Sequence, residues 1–180
     1  MKAAVSASTD PMGRCIVVMG VSGCGKSTVG QLLATALGLP YLEGDAFHPP
    51  GNVERMRAGI ALTDDDRAGW LQTLAAQLAE ARHSRQGAVL ACSALKRRYR
   101  ELLRSGAPDL QLVHLQGRRE QLEPRLAARK GHYMPPSLLD SQLATLEAPG
   151  ADEAPWVYDV DTEPQLIVDD ILSRLEAAHG

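Results

Sequence analysis

Short, uninterrupted apolar runs alternate along this chain with longer segments of helical periodicity. Residues 15–19 (Cys-Ile-Val-Val-Met) are apolar throughout, as a strand buried on both faces requires. Behind them Val29, Leu32, Leu33, Ala36 and Leu37 fall on one helical face. The alternation continues. Further strands are predicted at residues 39–43, 88–91, 110–115 and 156–160. Helices are predicted at 53–58, 96–103, 120–129 and 137–146. A longer one follows Asp64, Asp65 and Asp66 and carries the stripe Trp70, Leu71, Leu74 and Leu78. Thr63 with Asp66 reads as a capping pair for that helix, and Thr162 with Gln165 as the box that opens a last helix to about residue 178. Strands separated by helices imply an α/β fold, a parallel sheet covered on both faces. No internal repeat or low-complexity segment interrupts the pattern.

Composition narrows the class. A chain of 180 residues suits one domain with a sizeable core. A net charge of −3 argues against a general nucleic-acid or membrane-surface binder. No apolar stretch approaches the ~20 residues of a membrane span. Residues 1–13 are too polar for a signal-peptide core and read as a disordered tail, leaving 14–180 as a single domain. Cys15, Cys24 and Cys92 are odd in number and lack metal-site spacing, which fits reduced thiols in a cytoplasmic protein.

The chemistry begins between the first strand and its helix. Gly20, Val21, Ser22, Gly23, Cys24, Gly25, Lys26, Ser27 and Thr28 spell a complete G-x-x-x-x-G-K-[ST] phosphate loop. The glycines let successive N–H groups turn inward around a phosphate chain at a helix N-terminus. Lys26 supplies a cation for the β- and γ-phosphates and the Ser27 hydroxyl a magnesium ligand. Cys24 is expected to be exposed on this loop, where a thiol reagent would block the nucleotide.

The loop alone fits a kinase, an ATP-driven motor or a nucleotide switch. No Asn-Lys-x-Asp base-reading motif occurs, and the third strand ends in Cys92-Ser93 rather than an acid. The acids follow the second strand instead, at Glu43 and Asp45, where a small-molecule kinase needs a carboxylate facing metal and acceptor hydroxyl. Arg125 and Arg129 are four apart on a predicted helix that runs into a Gly/Pro-bearing segment, the pattern of cations beside a closing lid at about 125–137.

Beyond the loop, several runs resemble the gluconokinase family: Glu-Gly-Asp-Ala-Phe-His (43–48), Leu-Thr-Asp-Asp-Asp-Arg-Ala-Gly-Trp-Leu (62–71), Cys-Ser-Ala-Leu-Lys-Arg-Arg-Tyr-Arg (92–100), Arg-Lys-Gly-His-Tyr-Met (129–134) and Leu-Glu-Ala-Pro-Gly-Ala-Asp-Glu (146–153). The resemblance covers the chain from about Arg14 to the last helix. It implies a phosphate-loop NTPase fold similar to nucleoside monophosphate kinases and shikimate kinase, with a five-stranded parallel sheet, flanking helices and a short lid. It also implies transfer of phosphate from ATP, with Mg²⁺, to the 6-hydroxyl of D-gluconate, which feeds carbohydrate metabolism through the pentose phosphate pathway. The implied setting is a cytoplasmic homodimer without nucleic-acid or membrane partners.

Roles follow with their plainer alternatives. Lys26, Asp45, Arg125 and Arg129 form the catalytic set, Asp45 to orient or deprotonate the acceptor, although Gly-Asp-Ala is also a turn. Ser27 and Glu43 are the metal set, Glu43 reading equally as a structural acid. His48, Asp66, Arg67, Lys96, Arg98 and His132 are the substrate set, with Asp45. His48 reads equally as a loop brace, Asp66 as helix N-terminal charge, and Lys96 and Arg98 as a solvated helix face that gluconate's carboxylate would recruit. Trp70 reads as core, and Arg118 as a stacking partner for adenine by family geometry. Two competing functions stay open: a kinase for another small hydroxy acid such as shikimate, and a nucleotide-binding regulatory module without transfer.

Overall fold

The computed structural model describes residues 12–129 and 137–178. Five strands form one parallel sheet: β1 (Cys15–Met19), β2 (Tyr41–Glu43), β3 (Ala88–Ala91), β4 (Gln111–Gln116) and β5 (Trp156–Asp159), in the order β2-β3-β1-β4-β5. The apolar run predicted first is the central strand. Val17 registers with Leu90 on one side and Leu112 on the other, and every residue of β1 is buried. Connections leave β1 toward one edge of the sheet and β3 toward the other. A crevice therefore opens between these neighbours at the carboxyl ends of the strands, where open α/β sheets bind ligands.

Among the described residues seven α-helices connect or flank the strands: α1 (Lys26–Leu37), α2 (Pro50–Arg57), α3 (Asp64–His83), α4 (Arg97–Gly106), α5 (Arg119–Ala128), α6 (Ser137–Thr145) and α7 (Pro164–Ala178). Predicted and observed boundaries differ mostly by one to three residues, the usual range for frayed ends. α2 starts three residues early, at Pro50, because proline suits the first helical turn. The Thr63–Asp66 box forms as predicted: the Asp66 N–H donates to Thr63 Oγ1 at 3.1 Å, and the Thr63 N–H to Asp66 Oδ2 at 2.9 Å. The second predicted box does not appear among the described hydrogen bonds. α7 starts with Pro164, the Leu166 and Ile167 N–H groups donate to the Glu163 carbonyl, and the Gln165 amide donates down the helix to Asp169 instead.

One apolar cluster runs through the sheet and its flanking helices and includes Trp70, Leu71, Leu74 and Leu78, so the α3 stripe packs as predicted. A second, separate cluster holds Met56, Leu62 and Leu138, which joins α2 and α3's approach to α6. The tail boundary moves. Gly13 is buried and donates its N–H to the Arg82 carbonyl at 2.8 Å, so the fold starts before residue 14. The rest of the expected tail, residues 1–11, lies outside the described residues, as do the lid residues 130–136 and His132. No helix among the described residues is long and apolar enough to cross a membrane.

Candidate active site

The phosphate loop leaves β1 and ends in the first turn of α1. Gly20, Gly23 and Gly25 have φ of 151°, 85° and 90°, values that favour glycine. A Cβ added to Gly25 would meet nothing within 4 Å, so the space above the loop is open. Gly25 is the N-cap of α1 and no side chain caps it. The first N–H groups of the helix are thus left to an anion, with the helix dipole favouring it. Lys26 is 8% exposed, held at the mouth of the loop. Cys24 is the corrected member. It is 3% exposed, because the loop tucks its thiol inward against Gly20 rather than outward. Cys15 and Cys92 are also buried, and burial pushes the Cys92 thiol up to about 12.

The acids approach from β2. Ser27 Oγ donates to Glu43 Oε2 at 2.7 Å and Tyr41 Oη donates to the same oxygen at 2.5 Å, so the two predicted metal residues meet at the phosphate loop. A Cβ on Gly44 would lie 2.4 Å from the Ala91 carbonyl. Glycine alone lets the turn after β2 pass this close to the end of β3, and that passage sets Asp45 beside the crevice. Trp70 Nε1 fixes the turn by donating to the Gly44 carbonyl at 2.8 Å.

His48 stacks on Trp70, ring centroids 4.0 Å apart. The Asn52 amide donates to the Asp66 carbonyl at 2.8 Å and lies 3.3 Å from His48 Nδ1. An NH₂ only donates, so Nδ1 accepts and the imidazole proton sits on Nε2, 4.0 Å from Asp45 Oδ1. Burial pushes His48 down to about 4, with Asp45 opposing and Arg67 reinforcing the shift. His48 is thus a neutral group that faces Asp45.

Ser22, Lys26, Asp45, His48, Arg67 and Trp70 line one solvent-open cleft, together with apolar residues that include Met56, Leu62 and Leu138. Arg67 donates to Tyr99 Oη at 3.0 Å, with its guanidinium carbon 5.4 Å from the centroid of the Tyr99 ring.

Other predicted residues sit elsewhere. Lys96 and Arg98 pair with Asp64 at 3.1 and 3.0 Å, and Tyr99 Oη also donates to that carboxylate. Together Tyr99 and Lys96 hold Asp64 below the usual carboxylate range. Asp66 is spent on the α3 cap and on Arg55, and it does not line the cleft. Arg125 and Arg129 do not share a helix face, because α5 stops at Ala128 and Arg129 is extended. Arg125 donates to the Val160 carbonyl at 2.6 Å and lies 3.7 Å from Asp161. Arg118 is exposed at the start of α5. Sequence reasoning missed Asn52, Ser141 and Gln142; a single polar residue on a helix carries no signal of its own.

Among the described residues no cluster of three His, Cys, Asp or Glu stands ready to hold a metal. Ser27 and Glu43 are nonetheless hard oxygen donors beside the phosphate loop. They suit magnesium, which takes few protein ligands and shares the rest with phosphate and water.

A nucleotide-phosphate loop at the centre of a parallel sheet, sharing an open cleft with a carboxylate, is the arrangement of a phosphate-loop kinase. The comparisons agree. A family model described as an AAA domain matches residues 15–149. The chain is 49% identical over 164 residues to a gluconokinase of Gluconobacter oxydans, covering 91% of this chain and 92% of that one. A solved gluconokinase from Sinorhizobium meliloti superposes with a TM-score of 0.81 at 47% identity, over 92% and 93% of the two chains. A solved sugar kinase from Janibacter superposes at 0.87 with 44% identity, over 91% and 95%. The chain belongs to the gluconokinase family and is a kinase.

Proposed function

We propose that this protein transfers the terminal phosphoryl group of ATP to the 6-hydroxyl of D-gluconate, giving 6-phospho-D-gluconate and ADP. The observation that carries the reading is that Lys26 and Asp45 line the same cleft. The gluconokinase relatives supply the acceptor. The acceptor oxygen attacks the γ-phosphorus, its proton passes to Asp45, and the bond to the β–γ bridging oxygen breaks to release ADP. Such a transfer is governed by positioning and charge neutralisation. Lys26 neutralises the transferring group. His48, neutral and pointing its Nε2 proton toward Asp45, leaves that carboxylate its charge and steers it. Magnesium, when bound through Ser27 and Glu43, withdraws charge from the phosphate oxygens.

Arg67 is the cation in the cleft that meets gluconate's carboxylate, since guanidinium matches that geometry. Lys96 and Arg98 join only by exchanging Asp64 for the substrate's carboxylate. Arg125 and Arg129 complete the reading as cations toward the transferring phosphate, a role for which Arg125 must trade Val160 and Asp161, and His132 as a substrate contact. A cytoplasmic homodimer is the assembly that goes with this reading, and light scattering checks it.

The test is ADP release in a coupled assay with gluconate, other aldonates, shikimate and nucleoside monophosphates as separate acceptors. Gluconate is expected to be turned over far faster than the rest. Preference for shikimate reassigns the acceptor. ATP binding without ADP release on any acceptor leaves only a nucleotide-binding module.

A further inference from the structure

The phosphate loop is held by a side chain 120 residues further along. The Ser22 N–H donates to Gln142 Oε1 at 2.7 Å. Ser22 is 5% exposed, so this N–H needs a partner, and buried backbone donors are nearly always given one. Gln142 belongs to α6, and α6 is otherwise part of the acceptor side. Leu138, Ser141 and Gln142 all line the cleft. Leu138 is also buried against Met56 and Leu62, and just past α6 the Glu147 N–H donates to the Leu95 carbonyl at 2.8 Å. The hydrogen bond therefore ties the nucleotide side of the cleft to its acceptor wall. Its place on the loop matters. Ser22 and Lys26 are the phosphate-loop residues that line the cleft shared with Asp45. The phosphate that leaves must lie at that edge, and the ADP phosphates behind it.

We propose that Gln142 is a positioning residue for phosphoryl transfer. Its amide carbonyl sets the Ser22 backbone and fixes the α6 wall against the phosphate loop at the separation that transfer needs. The inference rests on the kinase reading above. Misplacing reacting groups by about 1 Å costs on the order of 10²-fold in rate, whereas nucleotide affinity spread over a whole loop is less sensitive to one edge.

Gln142→Met keeps side-chain length and removes the acceptor. The expected result is a kcat lowered tenfold or more, a smaller change in KM for gluconate, and an ADP dissociation constant by calorimetry within twofold of the unmodified protein. Gln142→Glu restores an acceptor at the same reach but adds charge beside the departing phosphate. It is expected to keep ADP affinity and weaken a non-hydrolysable ATP analogue at least fivefold. Unchanged kcat in Gln142→Met overturns the proposal. So does a parallel loss of kcat, ADP affinity and thermal midpoint, which marks a merely structural contact. Equal effects of Gln142→Glu on ADP and on the analogue overturn the placement at the departing phosphate. If the unmodified protein fails to turn over gluconate, the functional reading fails, while the calorimetric arms still decide the role of Gln142.

Discussion

The two sides of the cleft are built in opposite ways. The nucleotide side is one continuous stretch, Gly20 to Thr28, whose working parts are backbone N–H groups, three positive-φ glycines and one lysine. The acceptor side is assembled from six places: the turn after β2, α2, the connection from α2 to α3, α3, the segment after β3, and α6. Its working parts are side chains, each held by another. Asn52 orients His48, Trp70 holds Gly44, Tyr99 holds Arg67, and Glu153 holds Arg100, which in turn donates to the Ala94 and Leu95 carbonyls. A phosphate chain is the same in every nucleotide, so a local backbone cradle suffices for it. An acceptor is particular, and its recognition is spread through the fold.

The sharpest break in this contrast is between Lys26 and Asp45. Lys26→Ala is expected to leave no measurable turnover. Asp45→Asn is expected to lower kcat by roughly 10²-fold or more with ATP affinity largely kept, as read by steady-state kinetics beside calorimetry. An unchanged kcat removes Asp45 from the chemistry.

The next test removes a support of the acceptor wall. Arg100 and Glu153 are a buried pair, with side chains 1% and 2% exposed and Nε–Oε1 at 2.8 Å. Burial by itself would raise Glu153, but hydrogen bonds from Arg100 and Arg104 overcome it and hold the carboxyl at about 2. Glu153→Gln strands the buried guanidinium and is expected to cost about 3 kcal/mol of stability in urea unfolding. A cost below about 1 kcal/mol means that water reaches Arg100 and the pair is not a support.

Acid is a gentler probe. Burial pushes both His48 and His114 down to about 4 from the 6.5 of a free imidazole, and Arg100 lowers His114 further. Between pH 6.5 and 4 the unfolded chain binds protons that the folded chain refuses. The stability from these groups is therefore full above pH 6.5 and falls as pH drops through that window. His114 Nε2 has no hydrogen-bond partner among the described residues. His114→Leu is expected to flatten the decline of melting temperature over this range, and an equal decline would show that His114 does not titrate there.

The smallest effect is expected at Asp66. Asp66→Asn should cost a few degrees of melting temperature through the α3 cap and move KM for gluconate less than twofold. A large rise in KM would return Asp66 to the substrate contacts.

The contrast between the two sides also separates what could be read early from what could not. The five strands, the helices between them and the loop were legible because each depends on neighbours in sequence: an apolar run, a helical stripe, a glycine at a turn. Asp45 was legible because the end of a parallel strand is a ligand-binding place in any such sheet. The rest has the opposite cause. Cys24 was expected outside because loops usually are, yet this loop folds over its own thiol. Lys96 and Arg98 read equally as a solvated face and as contacts for a substrate's carboxylate, and the carboxylate they meet here is that of Asp64, more than thirty residues earlier in the chain.

What the sequence determined by itself is the nucleotide half: a buried strand, a glycine-bearing turn and a helix N-terminus are local consequences of residues 15–37, and any fold that contains them binds phosphate in the same way. What only the tertiary structure decided is which side chains line the cleft beside that loop. Asp45 lines it because Gly44 slips past the end of β3. Arg67 lines it because Tyr99 holds it there. Gln142 lines it because α6 docks through Leu138 onto Met56 and Leu62. Each depends on contacts between segments far apart in the chain, and no local pattern of hydrophobic and polar positions encodes such contacts.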